Sequence, residues 1–207
     1  MKAIVVIGEG GHSKVVQDII KAEAEYKLVA LLDDKYTISQ KSDKVILAPI
    51  SYAFKLMQEE KEVHFIVAIG NNRVRKQIVE RLASKNAHFA VLIHPSAIVS
   101  PSALIKDGTV VMPNAVINAA AVIGQHTIIN TAAVVEHDNR IGDFSHISPN
   151  VTLTGNVTVG TGTHIGAGAV VIPGKTIGPW SVVGAGSVVI GDLPQEITAV
   201  GAPARVI

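Results

Sequence analysis

From residue 99 onward the chain keeps an aliphatic side chain at every sixth position. The series runs Val99, Ile105, Val111, Ile117, Ile123, Ile129, Val135, Ile141, Ile147, Leu153, Val159, Ile165, Val171, Ile177, Val183 and Val189, with no insertion or deletion. An α-helix turning every 3.6 residues cannot hold a six-residue register on one face, and simple strand alternation does not single out every sixth residue. Two residues before each aliphatic position the side chain is usually small, as at Ala97, Ala103, Thr109, Ala115 and Ala121. One residue after it stand Gly124, Gly142, Gly160, Gly166, Gly178 and Gly184, with Asn118 and Asn130. Gly and Asn tolerate positive φ, so these positions are expected to turn the corners between short strands. Three six-residue strands make a triangular coil of about 18 residues. That coil stacks Gly124, Gly142, Gly160 and Gly178 on one corner and points the aliphatic residues into the prism. The pattern predicts a parallel β-helix from about residue 94.

The first 92 residues carry a different pattern, of short apolar runs alternating with amphipathic stretches. Ala3–Ile7, Leu28–Leu32 and Val63–Ile69 read as buried strands. A helix follows the first, with Ser13 as its expected cap and Val15, Val16, Ile19 and Ile20 as its core face. Further helices are expected over Ile50–Glu60 and over Arg73–Asn86, the latter with Ile78, Val79 and Leu82 inward. Ala90–Ile93 reads as a last strand before His94-Pro95. This alternation predicts a small parallel sheet flanked by helices, with ligands beyond the carboxyl ends of its strands. Two domains are expected, 1–92 and 93–207.

Composition narrows the choice of function. The 207 residues are 48% hydrophobic and carry 18 basic against 17 acidic side chains, for a net charge of +1. No block of like charge stands out, which argues against nucleic acid or an anionic membrane as partner. There is no Cys, hence no thiolate metal site and no Cys nucleophile. The apolar run Met1–Ile7 is too short for a signal-peptide core or a membrane span, so a cytoplasmic protein is expected.

Two constellations carry chemistry. Gly8-Glu9-Gly10-Gly11-His12-Ser13-Lys14 follows a strand and opens a helix, and resembles a dinucleotide-binding loop although Ser13 replaces the third glycine. A tight turn is the plain alternative. With Asp33 and Asp34 at the next strand end, the better reading is a nucleotide or nucleotide-sugar pocket whose backbone N–H groups face a phosphate. The second constellation is Glu136-His137-Asp138, with His146 nine residues on. Histidine is suited to accept a proton near neutral pH, and an adjacent carboxylate can orient the ring. His146 and His164 lie 18 apart and so stack in successive coils, where a plain surface role for His164 is favoured.

Taken together, Gly8–Lys14, Leu32-Asp33-Asp34, Ile69-Gly70-Asn71-Asn72, Ile93-His94-Pro95-Ser96-Ala97, Asn130, Val135-Glu136-His137-Asp138, Ile141–His146 and Val200–Arg205 resemble the sugar O-acyltransferase, sialic acid O-acetyltransferase family. The resemblance spans nearly the whole chain. It implies a Rossmann-like N-terminal domain followed by a left-handed β-helix of hexapeptide repeats, and an acetyl-CoA-dependent transfer to a UDP-linked amino sugar. The runner-up is O-acetylation of sialic acid or another sugar hydroxyl. The family implies His137 as general base, polarised by Asp138 where relatives usually carry Glu. His146 and Gly155 would contact acetyl-CoA, and Gly166, Ala167 and Thr176 would line its pantetheine. Gly10, Gly11, His12, Asp33, Asp34 and Gly70 would hold the nucleotide sugar. No metal and no acyl-enzyme are implied.

Three other classes compete. A zinc hydratase on the same repeat needs converging histidines, and His126, His137, His146 and His164 lack the His-x4-His spacing of such enzymes. A nicotinamide-dependent oxidoreductase leaves the repeat unexplained. A non-catalytic sensor leaves the His–carboxylate pair unexplained. The nine-residue separation of His137 and His146 is half a coil, which places them on different sides of a prism with a perimeter of at most about 60 Å. A homotrimer would bring His137 of one subunit against His146 of another.

Overall fold

A computed structural model describes residues 1–59 and 62–207. The chain divides into two compact units, Met1–Leu92 and Ile93–Ile207. In the first unit, β1 (Lys2–Ile7), α1 (Gly11–Glu23) and β2 (Tyr26–Leu32) are followed by a hairpin of β3 (Gln40–Ser42) and β4 (Val45–Ala48). A single 3-10 turn at Ile50–Tyr52 leads into α2 (Ala53–Glu59), then β5 (Val63–Val67), α3 (Asn72–Ala83) and β6 (His88–Phe89). The strands form one sheet in the order β3-β4-β2-β1-β5-β6, parallel throughout except for the β3–β4 pair. Ile4, Val5, Val6 and Ile7 on the central strand are fully buried, as expected for a strand covered on both faces.

Local details differ from the expectation. Gly10, not Ser13, is the N-cap of α1. Ser13 is fully buried inside the helix and accepts from Gln17 Nε2 at 3.3 Å. Val16, Ile19 and Ile20 form the core face, while Val15 is turned outward. The expected helix at 50–60 starts as the 3-10 turn directly after Pro49, a common form of helix start. Glu60 lies outside the described residues. The β3–β4 hairpin has no counterpart in the sequence reading, since Gln40–Ser42 is fully exposed and polar.

The second unit is a parallel β-helix. Two-residue strands pair with the strand 18 residues on, as in Val110↔Ile128 and His146↔His164. They form three faces. One is built on Ile128–Ile129, His146–Ile147 and His164–Ile165, a second on Val116–Ile117 and Val134–Val135, and a third on Val122–Ile123 and Arg140–Ile141. The six-residue aliphatic series from Val111 to Val189 is almost wholly buried, with Val99 and Ile105 partly buried at the first coil. Burial of one such side chain stabilises by ~1.5–3 kcal/mol.

The corners correct one expectation. Positive φ falls on every sixth residue from Gly108 to Gly186, including Asn114, Ala120, His126, Ala132, Asp138, Phe144 and Trp180. None of Gly124, Gly142, Gly160 or Gly178 has it. The left-handed residue serves the lattice: from His126 onward its N–H donates to a carbonyl 19 residues back, as Asp138 N does to Ala119 O at 3.0 Å, while Asn114 and Ala120 donate to the Ser96 and Ser102 hydroxyls. The stacked glycines answer to space instead. A Cβ on Gly142 would stand 2.5 Å from Thr161 N and 2.8 Å from the Gly160 carbonyl carbon. On the same corner the small buried residues Thr109, Ser145 and Thr163 donate their hydroxyls to the carbonyls of Gly124, Gly160 and Gly178 at 2.8, 3.0 and 2.8 Å. Thr198–Val200 extends the His146 face in parallel, and Arg205–Val206 turns back antiparallel against it.

Candidate active site

In the N-terminal unit the expected ligand loops lie at the carboxyl ends of β1, β2 and β5, and carboxylates bind them together. Asp33 accepts from Glu9 N at 2.7 Å through one oxygen and from Lys35 N at 3.0 Å through the other. Asp34 accepts from Ile50 N at 2.9 Å. Asp33 therefore serves to fix the Gly8–Gly11 loop, and Asp34 commits one oxygen in this way. Gly8 has φ +95°, and a Cβ there would press on Ile69. Gly10, Gly11 and Gly70 face open space, where an added Cβ would meet nothing within 4 Å. Their bare backbone leaves room for a ligand to approach closely.

Arg75, which no motif in the sequence marks, is the largest fully buried side chain of the described residues. It donates to Ile69 O at 2.8 Å, to Gly70 O at 3.3 Å and to Asn72 Oδ1 at 2.8 Å, so it holds the third loop from beneath. Burial lowers its pKa to about 10. His12 opens α1 with its Nε2 buried and without a hydrogen-bond partner among the described residues. Burial first, and then the Arg75 charge, push His12 down from 6.5 to about 4. Near neutral pH it is an uncharged imidazole.

In the β-helix, His137 and Asp138 occupy one corner, between the second and third faces. The side chains are 61% and 60% exposed, and His137 Nδ1 lies 2.8 Å from Asp138 Oδ2. The positive φ of Asp138 (61°) is the lattice conformation of that corner. Glu136, on the other side, accepts from the backbone N of His137 at 3.3 Å. The edge of the ring lies over Gly155 in the next coil. A Cβ on Gly155 would stand 2.6 Å from both Cε1 and Nε2 of His137. A proton on Nδ1 toward Asp138 leaves the Nε2 lone pair available to a substrate.

His146 stands on the first face, opposite that corner. Asn130 Nδ2 is 3.0 Å from its Nε2. His164 stacks on it with ring centroids 4.8 Å apart and planes 2° from parallel, and shares a 2.8 Å hydrogen bond with Ser148. Gly166 and Ala167 follow at the adjoining corner, where a Cβ on Gly166 would meet Ala185 N at 2.6 Å. Thr176 lies exposed on the third face, its N–H donating to Asp192 Oδ1 at 2.8 Å. The fold thus groups His137, Asp138, Gly155 and Thr176 on one side of the prism. Asn130, His146, His164, Gly166 and Ala167 form another group. The sequence reading gives His164 a plain surface role and leaves Asn130 as a motif residue. The 16-residue spacing of Asn130 to His146 and the 18-residue spacing of His146 to His164 are the available signals.

Known proteins match both units. The PglD N-terminal domain matches residues 3–82, and the bacterial transferase hexapeptide of six repeats matches residues 140–173. A UDP-N-acetylbacillosamine N-acetyltransferase of Bacillus subtilis (strain 168) is 50% identical over 112 residues, which are 54% of this chain and 52% of that protein. A mutant perosamine N-acetyltransferase from Caulobacter crescentus, solved with CoA and GDP-perosamine, is 38% identical with a TM-score of 0.93, covering 100% of this chain and 97% of its own. The acetyltransferase domain of PglB from Neisseria gonorrhoeae FA1090, solved with acetyl coenzyme A, is 40% identical with a TM-score of 0.92 and coverage of 100% and 99%. Joining the N-terminal α/β unit to a left-handed hexapeptide β-helix, and alike over its whole length, the chain belongs to the family of these sugar acyltransferases.

Proposed function

We propose that the protein transfers the acetyl group of acetyl-CoA to the amine of a UDP-linked amino sugar, with His137 as general base. The observation that carries this is the His137–Asp138 pair at 2.8 Å, with the far edge of the imidazole over the bare backbone of Gly155. The amine nitrogen bonds to the thioester carbonyl carbon, and its proton passes to His137 Nε2. The C–S bond then breaks, and the departing CoA thiolate takes up the proton from the imidazolium. Asp138 keeps the ring oriented and stabilises its transient charge. Direct transfer needs no enzyme nucleophile, only positioning and a donor for the developing oxyanion. In this reading the Gly155 backbone, beside the His137 ring, supplies that donor.

In this reading the N-terminal loops receive the nucleotide sugar. The exposed glycines Gly10, Gly11 and Gly70, with His12 and Asp34, contact it. Asp33 shapes the loop. The β-helix binds the acyl donor through His146, Gly155, Gly166, Ala167 and Thr176. Because these donor residues lie on two sides of one prism, a single donor molecule engages two copies of the chain. A homotrimer does this with three equivalent interfaces. One face also carries an outward stripe of Ile98, Val116, Val134, Thr152, Val170 and Val188, a suitable apolar surface for a second copy. No described helix is long and apolar enough to cross a membrane. We place the reaction in the cytoplasm, where CoA thioesters and nucleotide sugars are made.

A second reading, a GDP-linked amino sugar, is favoured by the full-length likeness to the perosamine enzyme. The test is release of free thiol from acetyl-CoA against UDP- and GDP-linked amino sugars and free sialic acid. Turnover with the UDP-linked amines supports the proposal. Turnover confined to GDP-linked amines selects the second reading, and turnover with sialic acid alone overturns both.

A further inference from the structure

We infer that Asn130 and His164 act as positioning residues that hold His146 as a neutral, Nδ1-protonated imidazole. The inference deepens the proposed acyl-donor role of His146 and rests on that reading for its functional consequence. The orientation of the Asn130 amide is fixed by its own turn. Its Oδ1 accepts from the backbone N of Thr131 at 2.8 Å, with the Thr131 hydroxyl at 3.4 Å. That leaves Nδ2, which can only donate, toward His146 Nε2 at 3.0 Å. An imidazole nitrogen that accepts from an amide N–H cannot itself carry a proton. The proton of His146 is therefore on Nδ1.

The rung above enforces the same charge state by a different route. The His164 ring lies parallel to His146 at 4.8 Å, and its Nε2 is engaged with Ser148. Two imidazolium rings at that separation would repel in a partly dehydrated setting. Below His146 the rung presents Ile128, which is 1% exposed and adds no countercharge. Asn130 from the side, His164 from above and Ile128 from below all disfavour an imidazolium. His164 also fixes the ring plane, as stacked aromatic pairs do. The donor site thus meets its thioester with an uncharged, rotationally fixed imidazole.

The test reads the tautomer directly. The intact protein is labelled with 15N-histidine, and long-range proton–nitrogen correlation is recorded near neutral pH, with His146 assigned from His146→Gln. His146 should show a protonated Nδ1 and a bare Nε2. Asn130→Asp replaces the donor by an acceptor and should move the proton onto Nε2 or charge the ring, with acetyl-CoA affinity falling ~10-fold. Asn130→Ala, which loses the amide without adding charge, should shift the tautomer ratio toward Nε2. His164→Phe keeps a stacked ring and should leave the His146 tautomer unchanged, whereas His164→Ala should broaden the His146 resonances. An Nε2-protonated His146 in the unaltered protein, or an unchanged tautomer in both Asn130 variants, overturns the inference. Failure of the unaltered protein to turn over any nucleotide amino sugar would sink the proposed reaction. The tautomer result stands independently of it.

Discussion

The two units hold their functional groups by opposite means. In the N-terminal unit the expected ligand groups sit in irregular loops, each tied down by a particular side chain: Asp33 to Glu9 N and Lys35 N, Asp34 to Ile50 N, Arg75 to Ile69 O and Gly70 O. In the β-helix the backbone is a lattice, and a functional side chain takes its place by falling on a particular rung or corner. His137 is an ordinary corner residue whose neighbour bears a carboxylate, and His146 is an ordinary outward rung residue. A loop site can thus be reshaped one staple at a time. A lattice site tolerates changes that point outward and fails wherever a change enters the stack.

The largest effect should come from entering the stack. Gly142→Val puts branched bulk where a Cβ already stands 2.5 Å from Thr161 N. It should cost ~3 kcal/mol or more, measured as a fall in the unfolding midpoint, because the neighbour in the way is backbone. A stable Gly142→Val protein would refute the spatial account of the glycine column. Next is the outward change His137→Ala. It should leave the unfolding midpoint nearly unaltered and lower kcat ~100-fold, with acetyl-CoA affinity kept. Normal turnover would remove His137 from the mechanism.

The loop unit should reveal itself through acid. The folded-state pKa of His12 is depressed from 6.5 to about 4. The unfolded chain therefore binds a proton first as pH falls, and the His12 contribution is present above about 6.5 and lost toward about 4. Up to roughly 2 kcal/mol is at stake after allowance for solvent screening. His12→Gln should flatten the unfolding midpoint against pH across that window, and an unchanged slope would show that His12 does not titrate there. A smaller effect belongs to Asp138→Asn, which removes the charge that steadies the imidazolium. It should lower kcat ~10-fold and shift the acid limb of the pH–rate profile, with KM little changed. The smallest is Asp138→Glu, at most a few-fold change on the same assay. The lattice holds φ 61° there whatever the side chain, and Glu196 shows that a glutamate adopts such a φ, so the residue usual in relatives is tolerated.

The six-residue register, the inward aliphatic series and the stacking of Gly155 over His137 are legible because a repeat converts spacing into position. The sixth-residue series of left-handed corners is not. That conformation goes with the N–H bond to the preceding coil, so Ala132, Phe144 and Trp180 occupy it as readily as Gly162. Glycine marks a neighbouring position for a different reason, the approach of backbone in the next coil. In the N-terminal unit the strands can be read from their apolar runs, but the cap of α1 cannot, because Gly10 has no side chain with which to announce itself and Ser13 looks the better candidate. Arg75 is invisible because a buried arginine on a helix looks in sequence like any solvated one. The pairing of Asn130 with His146 needs the amide orientation, which only the Thr131 contact supplies.

The reversed strand Arg205–Val206 bears on how copies of the chain avoid one another. A stack of parallel rungs has no intrinsic end: its last rung offers the same row of free amides and carbonyls as every rung before it, and so templates further growth. At Thr198–Val200 the His146 face would present such a row. Arg205–Val206 lies across it in the opposite direction, so a second β-helix approaching that face in parallel register finds its hydrogen-bonding groups already used. The reversal acts as a chain terminator on the face that carries the stacked histidines. It discourages end-to-end fibre growth on that face.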